Sequence, residues 1–267
     1  MMGEDVKTVL EVDQLIFEVT RKCNMKCDHC LRGESQDCEM SNEVVDRVLE
    51  NITSIGELVI TGGEPSLNVE AIKYIVSKII EKDIGCDRFF IVTNGLVYSE
   101  QLVVVLLELY AYCIEGNGGY ESEFSGGLAI SVDKYHSGIS RNNYFRYKGL
   151  SFYSTDKEPS ENYGKNIIDE GMAKVNQLNG DYHSPQMLAI SIGHDDRLNV
   201  EDLYINARGD VLGDCDMSYT TQEKYKVGNV LSKSLVDILL SAFSANEDAF
   251  IAKELLAVDH DDRGIAI

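Results

Sequence analysis

Positive charge is scarce in this sequence of 267 residues: 24 lysines and arginines stand against 45 aspartates and glutamates, a net charge of −21. Such a field repels phosphate backbones, so a nucleic-acid partner would need a basic patch concentrated locally. None is present, and the densest basic stretch, 141–148, holds only Arg141, Arg146 and Lys148. Long hydrophobic runs are also missing. The longest, Leu102–Leu107, falls far short of the roughly twenty residues that span a bilayer. The acidic N-terminus lacks a signal-peptide pattern, and no repeat or low-complexity tract interrupts the chain. A disulfide framework is not indicated either, because the seven cysteines are an odd number and three of them crowd into one loop. These absences predict a cytoplasmic protein with reduced thiols and neither a membrane nor a nucleic-acid partner. At 44% hydrophobic and 26% charged residues, the composition is that of an ordinary globular chain able to bury a sizeable core.

What is present centres on Cys23-Asn24-Met25-Lys26-Cys27-Asp28-His29-Cys30. Spacings of four and then three let one short loop wrap three thiolates around a single object. Iron–sulfur cubes are held by cysteine thiolates and normally take four. A loop offering three leaves one iron open, as a catalytic metal site keeps an open position. Two other readings stay open on the loop alone. A structural zinc site could take His29 or Cys38 as its fourth ligand, and a ferredoxin-like cluster could be closed by Cys38 to give an electron-transfer module.

The spacing resembles the Cys-x3-Cys-x2-Cys motif of the radical S-adenosylmethionine (radical SAM) superfamily. In that family the open iron chelates the amino and carboxylate groups of SAM. The residue before the last cysteine is usually aromatic there; here His29 offers a flat ring in its place.

Leu15–Thr20 reads as a first strand leading into the cysteine loop, after an N-terminal arm over 1–14. Val44, Val45, Val48, Leu49 and Ile52 recur at helical spacing behind a Ser41 or Asn42 cap. Glu57–Thr61 reads as a second strand running into Gly62-Gly63-Glu64-Pro65. The two glycines allow close backbone approach, and Glu64 places a carboxylate at the strand's C-terminal edge. A helix over 69–80, a third strand over Arg88–Thr93 closed by Asn94-Gly95, and a helix over 102–114 follow. Leu128–Asp133 reads as a fourth strand, Leu150–Ser154 as a fifth and Met187–Ile192 as a sixth, with a polar helix over 160–178 turning Ile167, Ile168, Met172 and Val175 inward. Strands alternating with helices predict parallel βαβ units. The fold expected is α/β, a partial TIM barrel of about six βα units over 15–195. Cys23, Glu64, Asn94 and Asp133 all fall at C-terminal strand ends, where such barrels place their active residues.

The resemblance implies roles for these positions. Cys23, Cys27 and Cys30 would hold one [4Fe–4S] cluster, and Gly62, Gly63 and Glu64 would orient the methionine end of SAM. Asn94 stands at a strand-end turn familiar in the family, and Ser131 and Asp133 would reach the ribose. His136 is a further candidate, and Lys134 and Arg146 are the basic residues considered for the SAM carboxylate. Residues 196–267 resemble the SPASM or twitch extensions of peptide-modifying relatives, with a hairpin over 203–212, Cys215, a closing strand over 227–230 and a helix over 234–257. Cys215 is the sole cysteine after residue 113, so no auxiliary cluster is expected. The implied activity is reductive SAM cleavage, with hydrogen abstraction from a peptide, protein or small-molecule substrate. An external donor of flavodoxin or ferredoxin type would supply the electron. No leader-peptide recognition domain is expected before the first strand.

Overall fold

A computed structural model of the chain describes residues 9–119, 126–136, 138–155, 167–193 and 197–245. One sheet organises them. Its central strand, β1 (Leu10–Glu18), pairs in parallel with β2 (Ile52–Thr61), and β3 (Gly85–Thr93) and β4 (Gly127–Ile130) continue the parallel order outward. Between them run α1 (Asn42–Val48), α2 (Val69–Glu81) and α3 (Glu100–Gly116). The result is an open, mostly parallel α/β sheet in partial-barrel order, as expected from the alternation of periods.

The first three strands begin earlier than their hydrophobic runs. Leu10 and Val12 are buried, and Leu10 is matched with Ile52 on one side and Leu198 on the other. Residues 10–14 are therefore central strand and not an arm, while 1–8 lie outside the described residues. Ile52 likewise opens β2 and does not extend the helix before it.

The helices follow their patterns closely. Ser41, Asn68 and Ser99 each accept a hydrogen bond from a first-turn N–H of α1, α2 and α3. In α2, Ala71, Ile72, Ile75, Val76 and Ile79 form the buried stripe. The Val103-Val104-Val105 run is helical despite its β-branched residues: Val103 and Val105 are buried and Val104 faces solvent. Packing of a long apolar face outweighs the small propensity cost of each valine.

Beyond β4 the regular alternation weakens. The fifth strand expected over 150–154 reduces to one parallel bridge, Leu128 to Tyr153, with Leu128 N–H donating to Phe152 O at 2.9 Å and Ser154 N–H to Leu128 O at 2.8 Å. A helix not expected from the sequence, α4 (Arg141–Lys148), precedes it and buries only Tyr147. The described part of the polar helix is short, α5 (Gly171–Val175); it buries Ala173, while Val175 is exposed. The sixth expected strand shrinks to β5 (Ile190–Ile192), which pairs antiparallel with β6 (Leu198–Ile205).

Strand β6 lies beside β1, parallel to it, on the side away from β2. The sheet order is β4-β3-β2-β1-β6-β7-β8, with β7 (Asp210–Leu212) and β8 (Gly228–Asn229) antiparallel. The hairpin and closing strand of the tail are thus present, but they continue the core sheet, and a boundary at 195/196 falls inside it. Between β7 and β8 lies α6 (Tyr219–Tyr225), and a last helix, α7, covers described residues 235–245.

Candidate metal and ligand site

The cysteine loop leaves the C-terminal end of β1 and is held at its root by backbone pairing. Gly63 N–H donates to Thr20 O and Glu64 N–H to Lys22 O, both at 2.8 Å. A Cβ on Gly62 would stand 2.6 Å from Thr20 O, and one on Gly63 would stand 2.4 Å from Lys22 O. The two glycines are therefore required by the approach of β2 to the chain's own cysteine loop. Gly63→Ala must push these backbones apart; about 2–3 kcal/mol of stability and most of the bound iron are expected to be lost, measurable by thermal unfolding and iron analysis.

Within the loop, Cys23 N–H donates to Ser35 Oγ at 2.9 Å and Cys30 N–H to Cys27 O at 3.1 Å. From outside, Met172 N–H donates to Cys30 O at 2.8 Å, and Asn176 Nδ2 to Asp28 O at 2.9 Å. All seven cysteines are free thiols. Burial, then the neighbouring Cys30 and Cys23 thiols, pushes Cys27 up to about 11, and burial also raises Cys23. Thiols such as Cys23 and Cys27, which burial keeps from ionising alone, suit a donor set that a cationic metal centre ionises on binding. One zinc ion would draw its sulfurs to within about 4 Å of one another. Among the described residues, the ligand groups converging within 4.8 Å are His29–Asp133–His136 and His183–Asp214–Asp216, and the three thiols are not such a group. Their wider spread fits a cluster better than a single ion. Cys38 lines neither cavity described below; its backbone carbonyl instead accepts from Arg21 N–H at 2.8 Å.

Cys23, Cys27 and Cys30 line two cavities of about 450 and 230 Å³. The smaller is also lined by Gly62, Gly63, Glu64, Asn94, Ser131, His29 and His136. The motifs at the ends of β1, β2, β3 and β4 thus meet on one concave surface at the C-terminal edge of the sheet.

Glu64 is buried, with 1% exposure. Its Oε1 accepts from Thr93 Oγ1 at 2.7 Å and Ser66 N–H at 3.1 Å, and its Oε2 from Asn94 N–H at 2.8 Å. Every one of these donors is neutral, and no lysine or arginine pairs with this carboxylate among the described residues. Asn94 passes the constraint on: its Nδ2 donates to Asn24 Oδ1, inside the cysteine loop, at 2.8 Å. Asn24 is a positioning group that sequence reasoning missed.

Asp133 does not line either cavity. Its Oδ1 caps a turn by accepting from Tyr135 N–H at 2.7 Å and His136 N–H at 2.9 Å, and its Oδ2 lies 2.9 Å from His136 Nδ1. Against burial, which raises it, these contacts hold its carboxyl below the usual value. The His29 ring stacks on Tyr135 at 4.4 Å, and its buried Nδ1 has no partner among the described residues. Burial keeps His29 below its ordinary value, so its ring stays neutral at pH 7. Lys134 lies over the Tyr135 ring at 4.7 Å, and Arg146 stacks on Tyr98 at 3.6 Å while pairing with Glu100. Neither lines these cavities. The basic residue that lines both is Arg32.

Below the loop lies a buried polar network. Glu18, fully buried, accepts from Arg21 Nε at 2.7 Å, Ala207 N–H at 3.2 Å, Gln222 Nε2 at 3.3 Å and the Tyr204 hydroxyl. Arg21 Nη2 donates to Gln222 Oε1 at 2.6 Å. Through these contacts the base of the cysteine loop is tied to the tail.

No helix among the described residues is long and apolar enough to cross a membrane. Residues 17–114 match the Radical SAM superfamily. An uncharacterized protein of Methanocaldococcus jannaschii is 26% identical over 99 residues, 36% of this chain and 35% of that protein. A probable GTP 3′,8-cyclase of Methanopyrus kandleri is 36% identical over 94 residues, 34% of this chain and 29% of that protein. The matched segments span about a third or less of these curated relatives. Among solved structures, BtrN in complex with AdoMet and 2-DOIA aligns at a TM-score of 0.45 and 17% identity, covering 85% of this chain and 81% of that one.

Proposed function

We propose that this chain, whose residues 17–114 belong to the Radical SAM superfamily, is an enzyme that cleaves S-adenosylmethionine reductively and uses the product radical on a C–H bond of a peptide, protein or small molecule. The observation that carries the reading is the convergence of the Cys23, Cys27 and Cys30 thiols with Gly62, Gly63, Glu64, Asn94 and Ser131 on one cavity. Cys23, Cys27 and Cys30 would hold a [4Fe–4S] cluster, and the chemistry it would supply when bound is one-electron reduction of SAM to methionine and a 5′-deoxyadenosyl radical. The chain's own groups then have distinct tasks. Glu64 presents a buried negative charge, fixed by three neutral donors, to the ammonium of the ligand. Asn94 locks the cysteine loop through Asn24. Ser131 stands at the end of β4 for the ribose, and the flat face of His29, backed by Tyr135, suits a stacked ring. Asp133 acts one step removed, by shaping the turn that carries His136. The electron comes from an external donor of flavodoxin or ferredoxin type.

Anaerobic reconstitution followed by SAM and dithionite tests this reading through formation of 5′-deoxyadenosine. Cys38→Ala is expected to keep its full iron content and its SAM-induced change in the EPR spectrum. An electron-transfer module closed by Cys38 would instead lose its cluster in that variant, and its wild type would ignore SAM.

A further inference from the structure

Arg32 stands two residues past Cys30 and lines both cavities beside the three thiols. Its Nη1 donates to Met217 O at 2.8 Å and to Cys215 O, and its guanidinium lies over the Tyr204 ring at 5.2 Å. Its own carbonyl accepts from Tyr219 N–H at 3.1 Å. The cysteine loop and the segment 215–219 therefore grip each other in both directions at a single residue. Arg32 has no carboxylate within ion-pair distance among the described residues, whereas Arg21 nearby is neutralised by Glu18 at 2.7 Å. One fixed positive charge without a counter-ion is left facing a site built for three thiolates.

We infer that Arg32 is a positioning residue that makes segment 215–219 of the tail part of the metal site, orienting Cys30 and holding a positive charge beside the cluster so that the tail raises its reduction potential. The inference rests on the cluster assignment above. Reduction adds one electron from the external donor to the cluster, and a nearby fixed cation favours the more negative state. A unit charge within about 10 Å, at an effective dielectric constant of about 20, suffices for a tenfold change in the equilibrium. Segment 215–219 carries one cysteine, Cys215, and it contributes through the backbone carbonyls of Cys215 and Met217, which fix the Arg32 charge in place.

The test is a one-electron redox titration of reconstituted wild type, Arg32→Gln and Arg32→Lys, followed by EPR. Glutamine keeps hydrogen-bonding capacity without charge, and lysine keeps charge without the fork. At a fixed applied potential, Arg32→Gln is expected to lower the reduced-to-oxidised ratio at least tenfold, which is 59 mV for one electron. Arg32→Lys should stay within threefold of wild type. Equal ratios in all three proteins, or equal shifts in both variants, overturn the inference. A second readout needs no Arg32 variant. Amide exchange at Tyr219 should be at least tenfold slower in the cluster-loaded protein than in the protein with Cys23, Cys27 and Cys30 replaced by alanine, and equal rates also overturn it. A wild type that binds no cluster, or whose EPR ignores SAM, refutes the underlying cluster reading instead, so the two failures are separable.

Discussion

Replacing Cys23, Cys27 and Cys30 together by alanine removes the brown colour, takes iron from about four per chain to none, and abolishes 5′-deoxyadenosine formation. The expectation follows from where the thiols stand. They are the three cysteines lining both cavities, and the remaining cysteines have other surroundings. Cys86 and Cys113 face each other at 3.8 Å within the core between β3 and α3. Cys215 packs against the small cluster of Ile16, Tyr204, Leu212 and Met217. The fold should survive, because the loop is held by backbone and polar contacts that do not use sulfur: Gly63 and Glu64 at its root, Met172 and Asn176 on its outer side. Circular dichroism should therefore overlay that of the wild type. About eight irons in the wild type, or an iron chromophore surviving in the triple variant, would sink the assignment of one cluster to one loop.

How much of this could be read from the sequence divides along a physical line. The C-terminal halves of β1, β2 and β3 and the turns after them were legible, because unbroken apolar runs end in residues with special backbone or charge requirements. The N-terminal halves were not. Leu10–Gln14, Ile52–Gly56 and Gly85–Asp87 mix polar with apolar residues, and pairing with neighbouring strands (on both sides for the first two, on the β2 side for Gly85–Asp87) makes them strand. Helix α4 escaped notice for the opposite reason: it has no apolar stripe, and it is held mainly by polar contacts, the Tyr147 hydroxyl to Val97 O at 3.0 Å and Asn143 Nδ2 to Gly95 O and Leu96 O. The expected fifth strand was a run of suitable residues without a second partner. Placement of β6 beside β1 joins segments nearly two hundred residues apart, a choice that no local pattern encodes.

The site shows the same division. Residues named by spacing or implied by the resemblance, from the three cysteines to Ser131, meet on one surface. The groups that fix them in place were invisible, because Glu18, Arg21, Arg32, Tyr204 and Gln222 look like surface residues until the tail covers them. A buried carboxylate such as Glu18 persists at low cost only when its lone pairs are filled. Four donors from three separate stretches of chain fill them here. Asp133 went the other way: it stands at the expected strand end, but its oxygens are taken up by its own turn.

Glu64→Gln should leave iron content at the wild-type level while weakening SAM binding ten- to a hundredfold, the equivalent of losing a charge-assisted hydrogen bond worth about 1.5–3 kcal/mol. The carboxylate is buried, lines the smaller cavity, and takes hydrogen bonds from Thr93, Ser66 and Asn94, all uncharged. Such neutral donors fix the carboxylate without cancelling its charge, so a cationic ligand in the cavity meets an uncompensated negative group in a poorly solvated place. Glutamine keeps the volume and removes the charge. It also sets an NH₂ group against a donor, the Asn94 N–H or the Thr93–Ser66 pair, and a fall of about 1–3 kcal/mol in thermal stability should accompany the change. Because Asn94 holds Asn24 by a separate side-chain bond, the cysteine loop keeps its shape and its iron. Titrating SAM into the reduced protein and following the EPR signal separates these effects. A Glu64→Gln protein that holds full iron and binds SAM with wild-type affinity would remove this carboxylate from the ligand site, leaving it a structural role in capping Pro65–Leu67 and holding Thr93 and Asn94.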